Sequence, residues 1–243
     1  MLFDDIFKGN YKTYIERKLE INKWLLFLKN KNQLNRYLPR LTKVTKAMRE
    51  ETLAEISSAY ILEILLGYTI VNWEEKTVGD KDVDFVIKDG IDRIYCEVKS
   101  PGWESQLTKK ELKKGDQGRR GKPKYLPHEV RFFAHWTSIR YAIKKAYPKF
   151  LPNYKNLIII NDDLWVSILD FPTNTPIDIA LYEEAGQYNN EKGYFANGDY
   201  ENIGGILFLD INPTSKRKYK IKFFPNKNSK ISFTISTCQR RVF

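Results

Sequence analysis

Apolar positions along this chain recur at two periods, and most of the expected elements follow from them. Over residues 45–66, Leu53, Ile56, Tyr60, Ile64 and Leu65 fall at helical spacing, which predicts a helix closed by Gly67. Over residues 127–147, Val130, Phe133, Trp136, Ile139 and Ile143 mark the buried stripe of another helix. Residues 10–47 read as helical too, with Tyr14, Leu19, Trp24, Leu25 and Phe27 set among lysines and arginines, and with Pro39 as a break. The outer face of that arm is basic. It either touches nucleic acid or is simply solvated.

The strands read differently. Val83 to Ile87 and Ile94 to Lys99 are β-prone runs around Asp89-Gly90, a hairpin signal because Asp-Gly tolerates positive φ. Residues 68–73 make a shorter strand before them, and residues 74–81 a polar loop. Leu157-Ile158-Ile159-Ile160 is a continuous apolar run, as expected of a central strand covered on both faces. Residues 164–169, 203–211, 218–224 and 231–235 read as further strands, and residues 187–200 as a long exposed loop rich in Asn, Gly and Tyr. The basic residues of Lys218-Tyr219-Lys220-Ile221-Lys222 alternate with apolar ones, which suits a half-buried strand with a phosphate-contacting or merely solvated outer face. The class is α/β with a mixed central sheet. The expected divisions are a helical arm at 1–47, a core at 48–165 and a β-rich C-terminal extension at 166–243 packed on that core.

Charge sharpens the picture. The 243 residues carry a formal net charge of +11, distributed in blocks. Residues 51–100 hold 5 basic and 11 acidic side chains, whereas residues 101–150 hold 13 and 4, and residues 1–50 hold 12 and 5. An acidic patch flanked by positive charge suits an enzyme acting on a polyanion. Residues 109–124 are the most basic stretch, with Lys109, Lys110, Lys113, Lys114, Arg119, Arg120, Lys122 and Lys124 interleaved with glycines. Two roles fit it: a mobile cationic loop closing over a phosphate backbone, or a surface loop. The two cysteines, Cys96 and Cys238, lack metal-ligand spacing, so a reducing, intracellular and cytoplasmic setting is expected, without a disulfide framework. No signal peptide and no apolar run long enough for a membrane span is apparent. His128 and His135 lack a third ligand nearby and read as structural or surface residues. Asp162-Asp163 reads as a turn or cap.

The candidate chemistry lies in the hairpin. Tyr95, Glu97 and Lys99 share one strand face, and Ile94, Cys96 and Val98 share the other. An acid and a lysine project together beside an acid on the partner strand, a set suited to a divalent metal and a phosphate. Asp80, Asp82 and Asp84 share strand parity; Asp84 is favoured because β-prone residues surround it, and Asp82 is expected to be solvated at the strand mouth.

Asp84, twelve further residues, and then Glu97-Val98-Lys99 resembles the PD-(D/E)xK signature of the restriction-endonuclease-like nuclease superfamily, with Val83 in place of the proline. The resemblance spans residues 48–165. It implies a core of helix, three-stranded meander, helix and strand. It implies an endonuclease that hydrolyses DNA phosphodiester bonds in restriction, repair, recombination or defence, leaving 5′-phosphate ends. The implied cofactor is Mg²⁺, with Mn²⁺ as a substitute, held by Asp84, Glu97 and the Val98 carbonyl. Lys99 would orient or deprotonate the attacking water. A helix acid would steer a water or share a second ion, with Glu55 the better match and Glu51 behind it. The implied partner is nucleic acid, DNA above all, and a homodimer is compatible with cutting both strands. A catalytically silent nucleic-acid-binding module on the same fold is the alternative.

Overall fold

The computed structural model describes residues 1–42, 45–100, 128–162, 176–184 and 192–238, with the side chains of Lys46 and of residues 128–135 excepted. It is a mixed α/β structure built on one six-stranded sheet in the order β1-β2-β3-β4-β5-β6. The strands are β1 (Thr69–Lys76), β2 (Asp82–Asp89), β3 (Asp92–Lys99), β4 (Lys155–Asp162), β5 (Gly205–Ile211) and β6 (Tyr219–Pro225). β1, β2 and β3 form an antiparallel meander, β4 and β5 add in parallel, and β6 closes the sheet antiparallel to β5. The two parallel pairings need crossovers. The described helices are α1 (Leu2–Phe7), α2 (Ile15–Asn30), α3 (Leu34–Thr42), α4 (Lys46–Tyr60), α5 (His128–Ala146) and α6 (Pro176–Tyr182). The order helix, meander, helix, strand expected for residues 48–165 is therefore present as α4, β1 to β3, α5 and β4.

Two hydrophobic clusters sandwich the sheet. The first joins α1, α2, α3 and α4 to Phe85, Ile87, Ile94, Cys96, Val98, Leu157 and Ile159. The second joins Ile139 and Ile143 of α5 and Ile177 and Leu181 of α6 to Val86, Tyr95, Ile158, Ile160 and Phe208. β4 and β5 are buried along almost their whole length, as the apolar run predicted for β4. The N-terminal helices are a full layer on the sheet, with Trp24, Leu25, Tyr37 and Leu41 inaccessible to solvent. The C-terminal strands continue the same sheet as its fifth and sixth members. Among the described residues, no helix is long and apolar enough to cross a membrane.

Several local expectations change. The helical N-terminus breaks at Asn32, which takes a left-handed φ of 57°, and Pro39 sits inside α3. Proline forfeits one helical hydrogen bond there, but the buried Tyr37 and Leu41 hold the turn against the sheet. α4 starts at the Thr45 cap, whose side chain accepts from the Met48 N–H, and runs into a π-turn over Ile61–Leu65 before Gly67. β1 extends to Lys76, so Glu74, Glu75 and Lys76 belong to the strand instead of a loop. The hairpin turn is Gly90-Ile91, with Gly90 at φ 60°, where a side chain is strained. Residues 231–235 form no ladder. Phe233 instead lies on Gly204, where a Cβ would come within 2.1 Å of the ring, and Ile235 is buried in the first cluster. The described part of the expected 187–200 loop is not exposed throughout: Phe195 is buried, and Gly193, Tyr194 and Phe195 donate backbone hydrogen bonds to Glu183, Ala180 and Leu181. The expected strand at 164–169 lies outside the described residues, as does Asp163. Asp162 ends β4.

One polar lock ties α4 to the sheet. The buried Asn161 side-chain amide points at Ala54 O (3.1 Å), Ser57 Oγ (2.9 Å) and Ser58 Oγ (2.8 Å). Buried acceptors left without donors carry their full desolvation cost. Asn161→Ala is therefore expected to lower stability by about 1–3 kcal/mol, seen as an earlier urea midpoint with an unchanged slope.

Candidate active site

The site begins with an irregularity in β1. Glu74 is a non-glycine residue at φ 52°, a conformation that L side chains rarely adopt. Trp73 and its partner Phe85 belong to the first cluster, whereas Val83, the partner of Glu75, belongs to the second. Strict alternation would keep Val83 on the side of Phe85. The side-chain alternation thus slips at Glu74 and Asp84, as it does at a β-bulge, and such kinks re-aim side chains. The paired register of β2 and β3 runs from Asp89–Asp92 to Phe85–Cys96. Beyond it, the Asp84 side chain takes over: Oδ2 accepts the Val98 N–H at 2.6 Å.

The expected alternation along β3 holds. Ile94, Cys96 and Val98 face the first cluster, Tyr95 faces the second, and Glu97 is fully buried. Glu97 Oε1 receives two ammonium groups, Lys99 Nζ from the same strand and Lys149 Nζ at 2.6 Å. Lys149 comes from the 3₁₀ turn Tyr147–Lys149 that ends α5. Among the described residues, Glu97 Oε2 is buried without a hydrogen-bond partner, and so is Asp82 Oδ1. Asp82 is half-buried, so it is not the solvated mouth residue that the pattern suggested.

Glu55 arrives from α4 on the other layer. It is buried and ion-paired to Arg40 of α3, whose guanidinium also reaches Glu74 at 3.6 Å. Glu51, one turn earlier, is exposed. Burial pushes the Asp84 carboxyl well above the usual carboxylate range, and the charges of Glu55 and Glu97 push it further. Glu55 is also raised, by burial against the pull of Arg40 and with the help of Glu97. Burial works against a charged Lys149, but Glu97 outweighs it and holds the ammonium above its ordinary value. Arg40 is likewise raised by Glu55 against the opposing effect of burial. The three carboxylates therefore sense one another within one poorly solvated neighbourhood.

The structure brings Asp84, Glu97, Val98, Lys99 and Glu55 together. The basic candidates Lys109, Lys110, Lys113, Lys114, Arg119, Arg120, Lys122 and Lys124 lie outside the described residues. The α5 backbone includes His128 and His135, whose side chains are not described. Sequence reasoning missed Arg40 and Lys149. Each sits beside a proline, Pro39 or Pro148, read only as a break; a cation next to such a proline was the available signal, although Pro39 and Arg40 lie within α3.

Among the described residues, no group of three or more His, Cys, Asp and Glu side chains is gathered to hold a metal ion. Glu55 and Glu97 turn oxygens toward Arg40, Lys99 and Lys149. A magnesium ion, however, needs only one or two carboxylates, with carbonyls and waters filling an octahedron. Glu97 Oε2, without a hydrogen-bond partner among the described residues, and the Asp84 carboxyl, which feels its charge, are the two oxygen donors open to such an ion. No protein-family model, curated protein or solved structure matches the chain.

Proposed function

We propose that this protein is a Mg²⁺-dependent endonuclease of the restriction-endonuclease-like kind, acting on DNA phosphodiester bonds. The observation that carries the reading is that Asp84, bonded to the Val98 N–H at the open end of the β2–β3 pairing, feels the charge of Glu97, to which Lys99 is bound. Asp84 and Glu97, with the Val98 carbonyl, would hold the ion. An ion held there would supply the lowered pKa of a water and the polarisation of the phosphoryl oxygen. Lys99 would orient the attacking water and offset charge that builds on the phosphate in the transition state. Glu55 steers a water from the α4 side. Charge supports a polyanionic substrate: the acidic neighbourhood lies between strongly basic segments of a chain with net charge +11. The basic residues 109–124 come a short way after β3 in sequence and would supply backbone affinity without base specificity.

A second reading, a silent binding module, draws on the pairing of Glu55 with Arg40 and of Glu97 with two lysines, since a closed ion network needs no metal. Incubation of supercoiled plasmid, linear duplex and branched DNA with Mg²⁺ separates the two. The enzyme reading expects nicked or linear products that EDTA abolishes. Hydrolysis that survives both Lys99→Ala and Asp84→Ala would sink the assigned site. Salt-sensitive binding without any cutting would favour the silent module.

A further inference from the structure

We propose that Lys149 is a second phosphate-contacting ammonium of this site, acting beside Lys99; the inference rests on the nuclease reading. Its Nζ lies 2.6 Å from Glu97 Oε1, the oxygen that Lys99 also holds. The carboxylate beneath is inaccessible to solvent, whereas Lys149 and Lys99 keep 29% and 22% of their side chains exposed. Both cations therefore sit between the carboxylate and water, where a phosphate arriving from solvent would meet them. They reach that point from different elements, Lys99 from β3 and Lys149 from the turn after α5.

The backbone under Lys149 is fixed. Thr77 Oγ1 donates to the Lys149 carbonyl, and Lys81 Nζ reaches the Pro148 carbonyl at 3.4 Å. The Phe150 N–H donates to Tyr147 O at 3.1 Å, and the flanking Ala146 and Phe150 are buried. These contacts engage the backbone and leave the partly exposed side chain to pair with Glu97. A lysine fixed at its root and solvated at its tip can exchange a carboxylate oxygen for a phosphate oxygen without moving the fold. Two ammonium groups flanking one phosphate stabilise the charge that accumulates on its non-bridging oxygens.

The test uses the full chain with a labelled short duplex. Binding is measured by fluorescence anisotropy across a salt series in metal-free and Ca²⁺ buffers, and cutting by plasmid nicking in Mg²⁺. Lys149→Ala is expected to reduce the slope of log K against log salt by about one, as loss of one phosphate contact does. It is also expected to slow cutting by about tenfold to a hundredfold. Lys149→Arg should keep the slope and much of the rate, and Lys149→Gln should lose both. Should Lys149→Ala fail to fold, the Arg and Gln variants decide. Wild-type slope and cutting in the Gln variant overturn the proposal and leave Lys149 as a counter-ion of Glu97. A wild-type chain that cuts no DNA with Mg²⁺ overturns the parent reading, a result separate from any effect at Lys149.

Discussion

Asp84→Asn and Glu97→Gln are each expected to lower Mg²⁺-dependent nicking of supercoiled plasmid by about a thousandfold or more, and Lys99→Ala by a similar factor. The carboxamides keep the size and shape of the side chains but remove the negative oxygens that a hard cation requires. The asparagine of the Asp84→Asn variant retains a carbonyl that accepts the Val98 N–H, so the strand end should stay in place. Lys99→Ala leaves both acids and removes one of the two cations that contact Glu97 Oε1, with Lys149 still in place. Because these groups act as a unit, the double variants should be little worse than the singles. Glu55→Gln should weaken cutting, whereas Glu51→Gln, on the exposed side of α4, should not. Rates for the single and double variants on one plasmid substrate check all of this. Near-wild-type cutting by Asp84→Asn would remove that residue from the chemistry.

The same substitution should stabilise the metal-free protein. Native Asp84 holds its proton above the ordinary value of 3.8, through burial and the charges of Glu55 and Glu97. The folded state therefore binds more protons than the unfolded state as pH rises past that value. Stability contributed in this way is full below about pH 4 and is lost as pH climbs through the raised native value. Glu55, also raised, acts with the same sign. Asparagine has no proton to lose. In EDTA, Asp84→Asn should match the wild type near pH 4 and exceed it at pH 7 by about 1–3 kcal/mol, the span for relieving a poorly solvated polar group. Added Mg²⁺ should reverse the order, because only the wild type gains binding energy from the ion. Thermal melts between about pH 4 and pH 8, with and without Mg²⁺, read both effects. A variant less stable than the wild type at pH 7 in EDTA would show that the carboxylate is fully compensated by its neighbours.

The hairpin was the most legible part of the chain. Asp89-Gly90 signals a turn that falls at Gly90-Ile91, and along β3 the alternation is regular, with Ile94, Cys96 and Val98 facing the first cluster as their spacing says; only at Asp84 in β2 does it slip. β4 was equally readable because an apolar run has few other uses. Thr45 and Gly67 bracket the helical stretch that carries Glu55. What the sequence hid depends on contacts distant along the chain. Glu74 looks like the start of a polar loop, yet the strand continues through it in a left-handed conformation, with Arg36 and Arg40 beside it. Pro39 looks like a helix breaker, but burial of Tyr37 and Leu41 overrides local preference. Residues 231–235 alternate like a strand, and the ring of Phe233 covers Gly204 instead of extending the sheet. Lys149 and Glu97 are 52 residues apart in sequence, and only the crossover through α5 brings them together.

The acids of the sheet stand between two helical layers, with Glu55 and Arg40 approaching from one side and Lys149 from the other. That makes the sheet a partition whose two walls must agree on a spacing. Repacking beneath α4 shifts one wall, and repacking beneath α5 shifts the other. Either change throws the charges out of alignment without touching a single charged group. The alignment of these charged groups is thus set partly by buried apolar residues such as Ile56 and Ile143, and if the site is the proposed nuclease centre, its activity should fade well before the fold gives way.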